Sequence, residues 1–197
     1  MPIVIGVTGN IACGKSTVSN MLGQLGAEVI DADKVVHTLM QPKSEVWRRI
    51  VEEFGQGVLK PNGEIDRAVL GSIVFDDAEA LRRLERIVHP AVTAAVRAMV
   101  QHSKAKVVVV EAVKLIEAGM HRGYDSVWVV TCRHEQELAR LMRERGLTRE
   151  EAEARLGAQP SLEEKLRQAD VVIDNSGSLE DTRRQVKAGW EKVTSDL

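Results

Sequence analysis

Apolar residues along this chain fall into two textures: short unbroken runs, and longer segments where they recur every three or four positions. The unbroken runs are residues 3–7, 27–30, 107–110, 127–131 and 171–173. Strands covered on both faces read this way, because neither face needs polar side chains. The segments between them carry helical periodicity, so the pattern predicts an α/β fold built on a doubly wound, five-stranded parallel sheet. Gly26 stands where a glycine would close the first helix, residues 17–25.

Two connections are far longer than a simple crossover needs. The first, residues 34–103, predicts helices over 44–54, 67–75, 78–87 and 90–102, with a turn at Pro61-Asn62-Gly63. Pro90 is read as the start of the last of these, since proline suits a first helical turn. The second, residues 133–168, carries two capping boxes, Thr148 with Glu151 and Ser161 with Glu164. The remainder, residues 1–33, 104–132 and 169–197, forms the expected core. Long structured excursions from such a sheet commonly serve as acceptor platforms or lids.

The first strand runs straight into Gly9-Asn10-Ile11-Ala12-Cys13-Gly14-Lys15-Ser16. This is the G-x-x-x-x-G-K-S phosphate loop in its required context, after a buried strand and opening a helix. The glycines let backbone N–H groups wrap an anion, and the helix start adds its positive end. Lys15 can reach terminal phosphates as a point charge, and the Ser16 hydroxyl can ligate Mg²⁺. Gly9, Asn10, Ile11, Ala12, Cys13, Gly14, Lys15, Ser16 and Thr17 are therefore the candidate residues for binding a nucleoside triphosphate. Cys13, at a helix N-terminus beside Lys15, is expected to have a lowered thiol pKa, unless the loop shields it.

Strands in such sheets present ligand-handling residues just past their C-terminal ends. Asp31 and Asp33 follow the second strand, Glu111 the third, and Asp174-Asn175-Ser176-Gly177 the fifth. A carboxylate here can position a metal or accept a proton from an attacking hydroxyl, or it can simply cap the next helix. Both roles are open to Asp33 and to Glu111. The second excursion is rich in arginine, with Arg140, Arg143 and Arg145 among its members. Interspersed glutamates suit a solvated helical pair, while one or two of the arginines could close over a phosphate.

With 27 Lys+Arg against 29 Asp+Glu, the charge balance gives no pull toward nucleic acid or anionic membrane. No apolar run reaches bilayer-spanning length, no signal-peptide pattern opens the chain, and two cysteines make no disulfide framework. A cytoplasmic enzyme without nucleic-acid or membrane partners is expected, as a monomer or small homo-oligomer. A GTP-dependent switch would need an Asn-Lys-x-Asp motif, which is absent. Its Asp-x-x-Gly motif should follow the third strand, whereas the match Asp174 to Gly177 follows the fifth.

Further blocks carry a family resemblance. They are Ile30-Asp31-Ala32-Asp33, Asp66-Arg67 with Leu70-Gly71, His89-Pro90, Gln136 with Arg140-Leu141, Arg155 with Gln159, and Ala169-Asp170-Val171-Val172-Ile173-Asp174-Asn175 with Gly177. In this order, nearly end to end, the chain resembles the dephospho-coenzyme A kinases, P-loop kinases that use ATP and Mg²⁺. The resemblance implies phosphorylation of the ribose 3′-hydroxyl of dephospho-coenzyme A. It implies a catalytic carboxylate at Asp33, an acceptor domain with Arg67 and His89, a lid with Arg140, and an adenine neighbourhood at Asn175 and Gly177. The alternative is a related kinase for another nucleotide or small alcohol. Three positions depart from the family pattern: Val113-Lys114-Leu115 replaces a Pro-Leu-Leu run, Glu144 takes the place of a lid arginine, and Cys13 replaces a serine. Arg143 shares the Arg140 face, but Arg145, beside the helix-ending Gly146, is expected to serve the phosphate with Arg140.

Overall fold

The structure, a computed structural model, describes residues 1–195. Five strands, β1 (Ile3–Thr8), β2 (Glu28–Asp31), β3 (Val107–Glu111), β4 (Ser126–Thr131) and β5 (Val171–Asp174), pair in parallel in the order β2-β3-β1-β4-β5. All five predicted strands are present to within a residue or so at each end. The expectation of burial on both faces holds for β1, β3 and β4 but fails at the edges. Val29 in β2 is 37% exposed and Val172 in β5 is 48% exposed. An edge strand has a neighbour on one side only, so its side chains are covered less completely.

Two compact units divide the chain, Met1–Asp31 with Val100–Leu197, and Ala32–Met99. In the first, helices α1 (Lys15–Gln24) and α9 (Leu179–Val193) lie beside one another, and their Val18, Leu22 and Val186 join Ile5, Val7, Trp128 and Ile173 in a single core. The approach of α9 is close: a Cβ on Gly189 would stand 2.7 Å from the Trp128 ring. Helix α1 ends as expected. Gly26 (φ +107°) donates to Gly23, and Ala27 donates to Leu22, the paired bonds of a Schellman motif.

The second unit holds α2 (Ala32–Leu39), α3 (Glu45–Phe54), α4 (Arg67–Asp76) and most of α5 (Ala78–His102) around Val46, Ile50, Val58, Ile65, Leu70 and Ile87. Ser44 caps α3 and Asp66 caps α4 through side-chain bonds to their first-turn N–H groups. One expectation is overturned here. The helices expected over 78–87 and 90–102 are a single 25-residue helix with Pro90 inside it, not at a start. An interior proline forfeits a backbone hydrogen bond and crowds the preceding turn. The apolar stripe Ala80, Leu84, Ile87 and Ala91, at helical spacing, nevertheless runs across the proline into the unit's core.

The 133–168 excursion forms α6 (His134–Arg145), α7 (Arg149–Gly157) and α8 (Leu162–Arg167) within the first unit. The Thr148–Glu151 capping box is formed. The Ser161–Glu164 box is not, because Ser161 makes no side-chain capping bond. Its neighbours fix the segment instead: Gln159 accepts the Ile11 N–H and Lys165 reaches Val113. Among the described residues, no helix is long and apolar enough to cross a membrane.

Candidate active site

The phosphate loop leaves β1 at the middle of the sheet and closes onto α1. Its backbone needs unusual dihedrals, φ +148° at Gly9, +62° at Ala12 and +97° at Gly14. A Cβ at Gly9 would fall 2.3 Å from the Val130 carbonyl, and one at Gly14 would fall 2.0 Å from the Asn175 amide. The two motif glycines are thus demanded by what lies beneath the loop as well as by its turn. Gly14 is also the N-cap of α1 and offers no side chain to the first-turn N–H groups. That arrangement suits an anion at the helix start.

Lys15 is 7% exposed and curls over its own loop, donating to the Gly9 and Asn10 carbonyls at 3.2 and 2.9 Å. Ser16 Oγ donates to Glu111 Oε1 at 2.8 Å. Glu111 ends β3 opposite Val7, is 8% exposed, and so brings a carboxylate to the hydroxyl. Two hard oxygen donors beside an anion site match Mg²⁺, which is usually held by one or two protein oxygens together with substrate phosphates.

Asn175 explains how the loop keeps its shape. Its Nδ2 donates to the Cys13 carbonyl at 2.9 Å, and its Oδ1 accepts from Thr182 Oγ1 at 2.9 Å. Asn175 stands just past β5, where both the strand-end pattern and the family blocks point, but its part as a brace beneath the loop emerges only in the fold. Asp174, next to it, turns back to accept the Ser176 N–H, and the Ser176 bonds hold its carboxyl below the usual range.

The excursion packs onto the loop tip. Leu138, Leu141, Ala152 and Leu156 form a small core into which Ile11 and Ala12 fit. Arg140 donates to the Ala12 carbonyl at 2.9 Å, and Gln136 donates to the Ser176 carbonyl at 3.0 Å. Buried Glu137, which pattern reasoning did not single out, has its carboxyl pushed up by burial, against the opposing pull of His134, Lys15 and Arg140. Arg145 is exposed at the last residue of α6, which ends at Gly146 (φ +63°). Arg143 is exposed too and pairs with Glu144 at 3.0 Å.

Cys13 departs from expectation. Its thiol is fully buried, and burial pushes its pKa up, outweighing the opposing influence of Lys15. Burial likewise pushes the thiol of Cys132 up to about 12. Desolvation of a thiolate wins here over a nearby cation and the helix end.

Three further candidates belong to the other unit. Asp33 is exposed in the first turn of α2, Arg67 is exposed as the first residue of α4, and His89 is half-buried on α5. Gly177 lies in the loop between β5 and α9.

A phosphate loop at the end of a central parallel strand, with a buried lysine, a serine–carboxylate pair and an arginine over the loop tip, defines a P-loop phosphotransferase. The family model for dephospho-CoA kinase matches residues 3–181, and the chain belongs to that family. The dephospho-CoA kinase of Symbiobacterium thermophilum is 52% identical over 190 residues, 95% of this chain and 80% of that protein. Among solved structures, one from Thermus thermophilus superposes with a TM-score of 0.81 at 37% identity, covering 98% of both chains. The dephospho-CoA kinase from Campylobacter jejuni superposes at 0.68 with 34% identity, covering both chains completely.

Proposed function

We propose that this chain transfers the terminal phosphate of ATP to the ribose 3′-hydroxyl of dephospho-coenzyme A, giving coenzyme A and ADP. The observation that carries the reading is the Lys15–Ser16–Glu111 arrangement in a chain of this family. The hydroxyl oxygen attacks the γ-phosphorus, the bond to the β,γ-bridging oxygen breaks, and the hydroxyl proton passes to the Asp33 carboxylate. Phosphoryl transfer asks the protein mainly for position and charge. Lys15 exchanges its loop carbonyls for phosphate oxygens, and the α1 N–H groups hold the β-phosphate. Arg140, already over the loop tip, and Arg145, at the end of its helix, gather charge on the transferring group as the 133–168 excursion closes as a lid. Ser16 and Glu111 would hold Mg²⁺, which when bound offsets charge on the β- and γ-oxygens. Arg67 and His89 sit in the unit we assign to the acceptor, Asn175 and Gly177 near the adenine.

Measuring ADP release over a panel of alcohol and nucleotide acceptors tests the assignment. Dephospho-coenzyme A should outpace every other acceptor. Turnover no higher than the hydrolysis background would remove the assignment, and preference for another alcohol would transfer it to a related kinase.

A further inference from the structure

Lys165 on α8 is 1% exposed, among the largest side chains the fold buries completely. Its Nζ donates to the Val113 carbonyl at 2.8 Å and to Glu117 Oε1 at 2.7 Å. The same carbonyl accepts a second bond, from Thr8 Oγ1 at 3.1 Å. Thr8 is the last residue of β1, immediately before Gly9 of the phosphate loop. Val113 stands two residues beyond Glu111, whose carboxylate accepts from Ser16, and Ala112 between them donates to the Val7 carbonyl at 3.0 Å. One carbonyl oxygen therefore ties together the entry to the phosphate loop, the turn behind the Ser16–Glu111 pair, and the last helix of the excursion.

Stability alone is a poor reason for such a lysine. An ammonium buried with one carboxylate is commonly replaceable by apolar residues at no loss, whereas removing a single partner is damaging. What an apolar pair cannot supply is a hydrogen-bond donor for the Val113 carbonyl. We infer that Lys165 is a positioning residue of the transfer site: with Thr8 it fixes the 111–113 turn and so holds Glu111 against Ser16. The inference rests on the phosphotransferase reading above. It adds a residue that touches neither nucleotide nor acceptor, and it makes α8 the fixed foot of the lid segment while α6 carries Arg140 and Arg145.

The test compares Lys165→Met, the double variant Lys165→Met with Glu117→Gln, and Thr8→Val. Three quantities are read: the melting temperature, kcat and KM with dephospho-coenzyme A, and the gain in ADP affinity on adding Mg²⁺, by calorimetry. Lys165→Met leaves the Glu117 carboxylate, whose side chain is 24% exposed, without its partner and should lower the melting temperature by several degrees. The double variant should recover most of that loss. In both variants the metal-dependent gain in ADP affinity should still fall about tenfold, the usual scale for a residue that orients a metal ligand, with kcat falling more than KM rises. Thr8→Val removes the other donor to the same carbonyl. It should reduce the metal-dependent gain in the same direction, and it keeps the test alive should the lysine variants fail to fold. A double variant that regains both stability and the full metal-dependent gain would overturn the inference, as would an undiminished gain in Thr8→Val. If the unaltered protein turned over no dephospho-coenzyme A, the functional reading would fail, while the ADP titrations would still decide the role of Lys165.

Discussion

Replacing Asn175 by alanine perturbs the phosphate loop from below without touching any residue that would meet the nucleotide phosphates. Two bonds of 2.9 Å disappear, one to the Cys13 carbonyl and one from Thr182 Oγ1. Thr182 retains the Ser178 carbonyl at 3.3 Å, so its hydroxyl is not stranded. The Cys13 carbonyl loses its side-chain donor in a buried setting, which costs about 1–3 kcal/mol, and the space left by the amide adds on the order of 1 kcal/mol. The sum, about 2–4 kcal/mol, corresponds to roughly 5–12 °C in melting temperature for a chain of this size. ATP affinity should fall as well, because the loop N–H groups lose their fixed aim. Asn175→Asp separates polarity from packing: a carboxylate facing the Cys13 carbonyl should be worse than alanine near neutral pH and should recover in acid, where a protonated carboxyl can donate. Thermal unfolding and calorimetric titration with ATP measure both effects. Melting within about 2 °C of the parent, or aspartate and alanine behaving alike at every pH, would refute the brace.

Asp33→Asn should lower turnover by about a hundredfold or more while ATP still binds, the usual scale for a proton-accepting carboxylate; near-normal turnover would return Asp33 to a helix-start role. Alanine at Arg140 or Arg145 should depress kcat, and Arg143→Ala should be nearly silent, since Arg143 is already paired on the surface with Glu144; the opposite order for Arg143 and Arg145 would show the lid arginines to be misassigned. Iodoacetamide at pH 7.5 should leave both cysteines unmodified in the folded protein and label them only as denaturant unfolds it, because both thiol pKa values are pushed up by burial. Rapid labelling of Cys13 in the native state would contradict this.

Much of the framework was legible because its signals are local. A strand buried on both faces must be a continuous apolar run, and a phosphate loop must carry glycines where the backbone turns, so β1, α1 and the loop could be placed from pattern alone. The misses share a different cause. Pro90 reads as a boundary because the local cost of an interior proline is high, yet packing on both sides of it carries α5 through. Ser161 has the residues of a capping box, but the bonds of Gln159 and Lys165 fix that turn. Cys13 looks activated from its neighbours along the chain, while its burial, a property of the whole fold, decides the sign. Lys165 and Asn175 were the least visible as supports. A polar side chain that braces the core is recognisable only when its partners, here Val113 with Glu117 and Cys13 with Thr182, are brought to it from distant sequence.

The most direct test of the account is the product itself. The protein is incubated with ATP, Mg²⁺ and dephospho-coenzyme A, and the mixture is followed by phosphorus NMR with mass spectrometry of the separated products. One ADP should form for each coenzyme A, with a single new phosphomonoester resonance coupled to the ribose 3′ proton, and Asp33→Asn should slow both by about a hundredfold or more. Free phosphate with dephospho-coenzyme A left intact, or a phosphate attached at any other position, would contradict it.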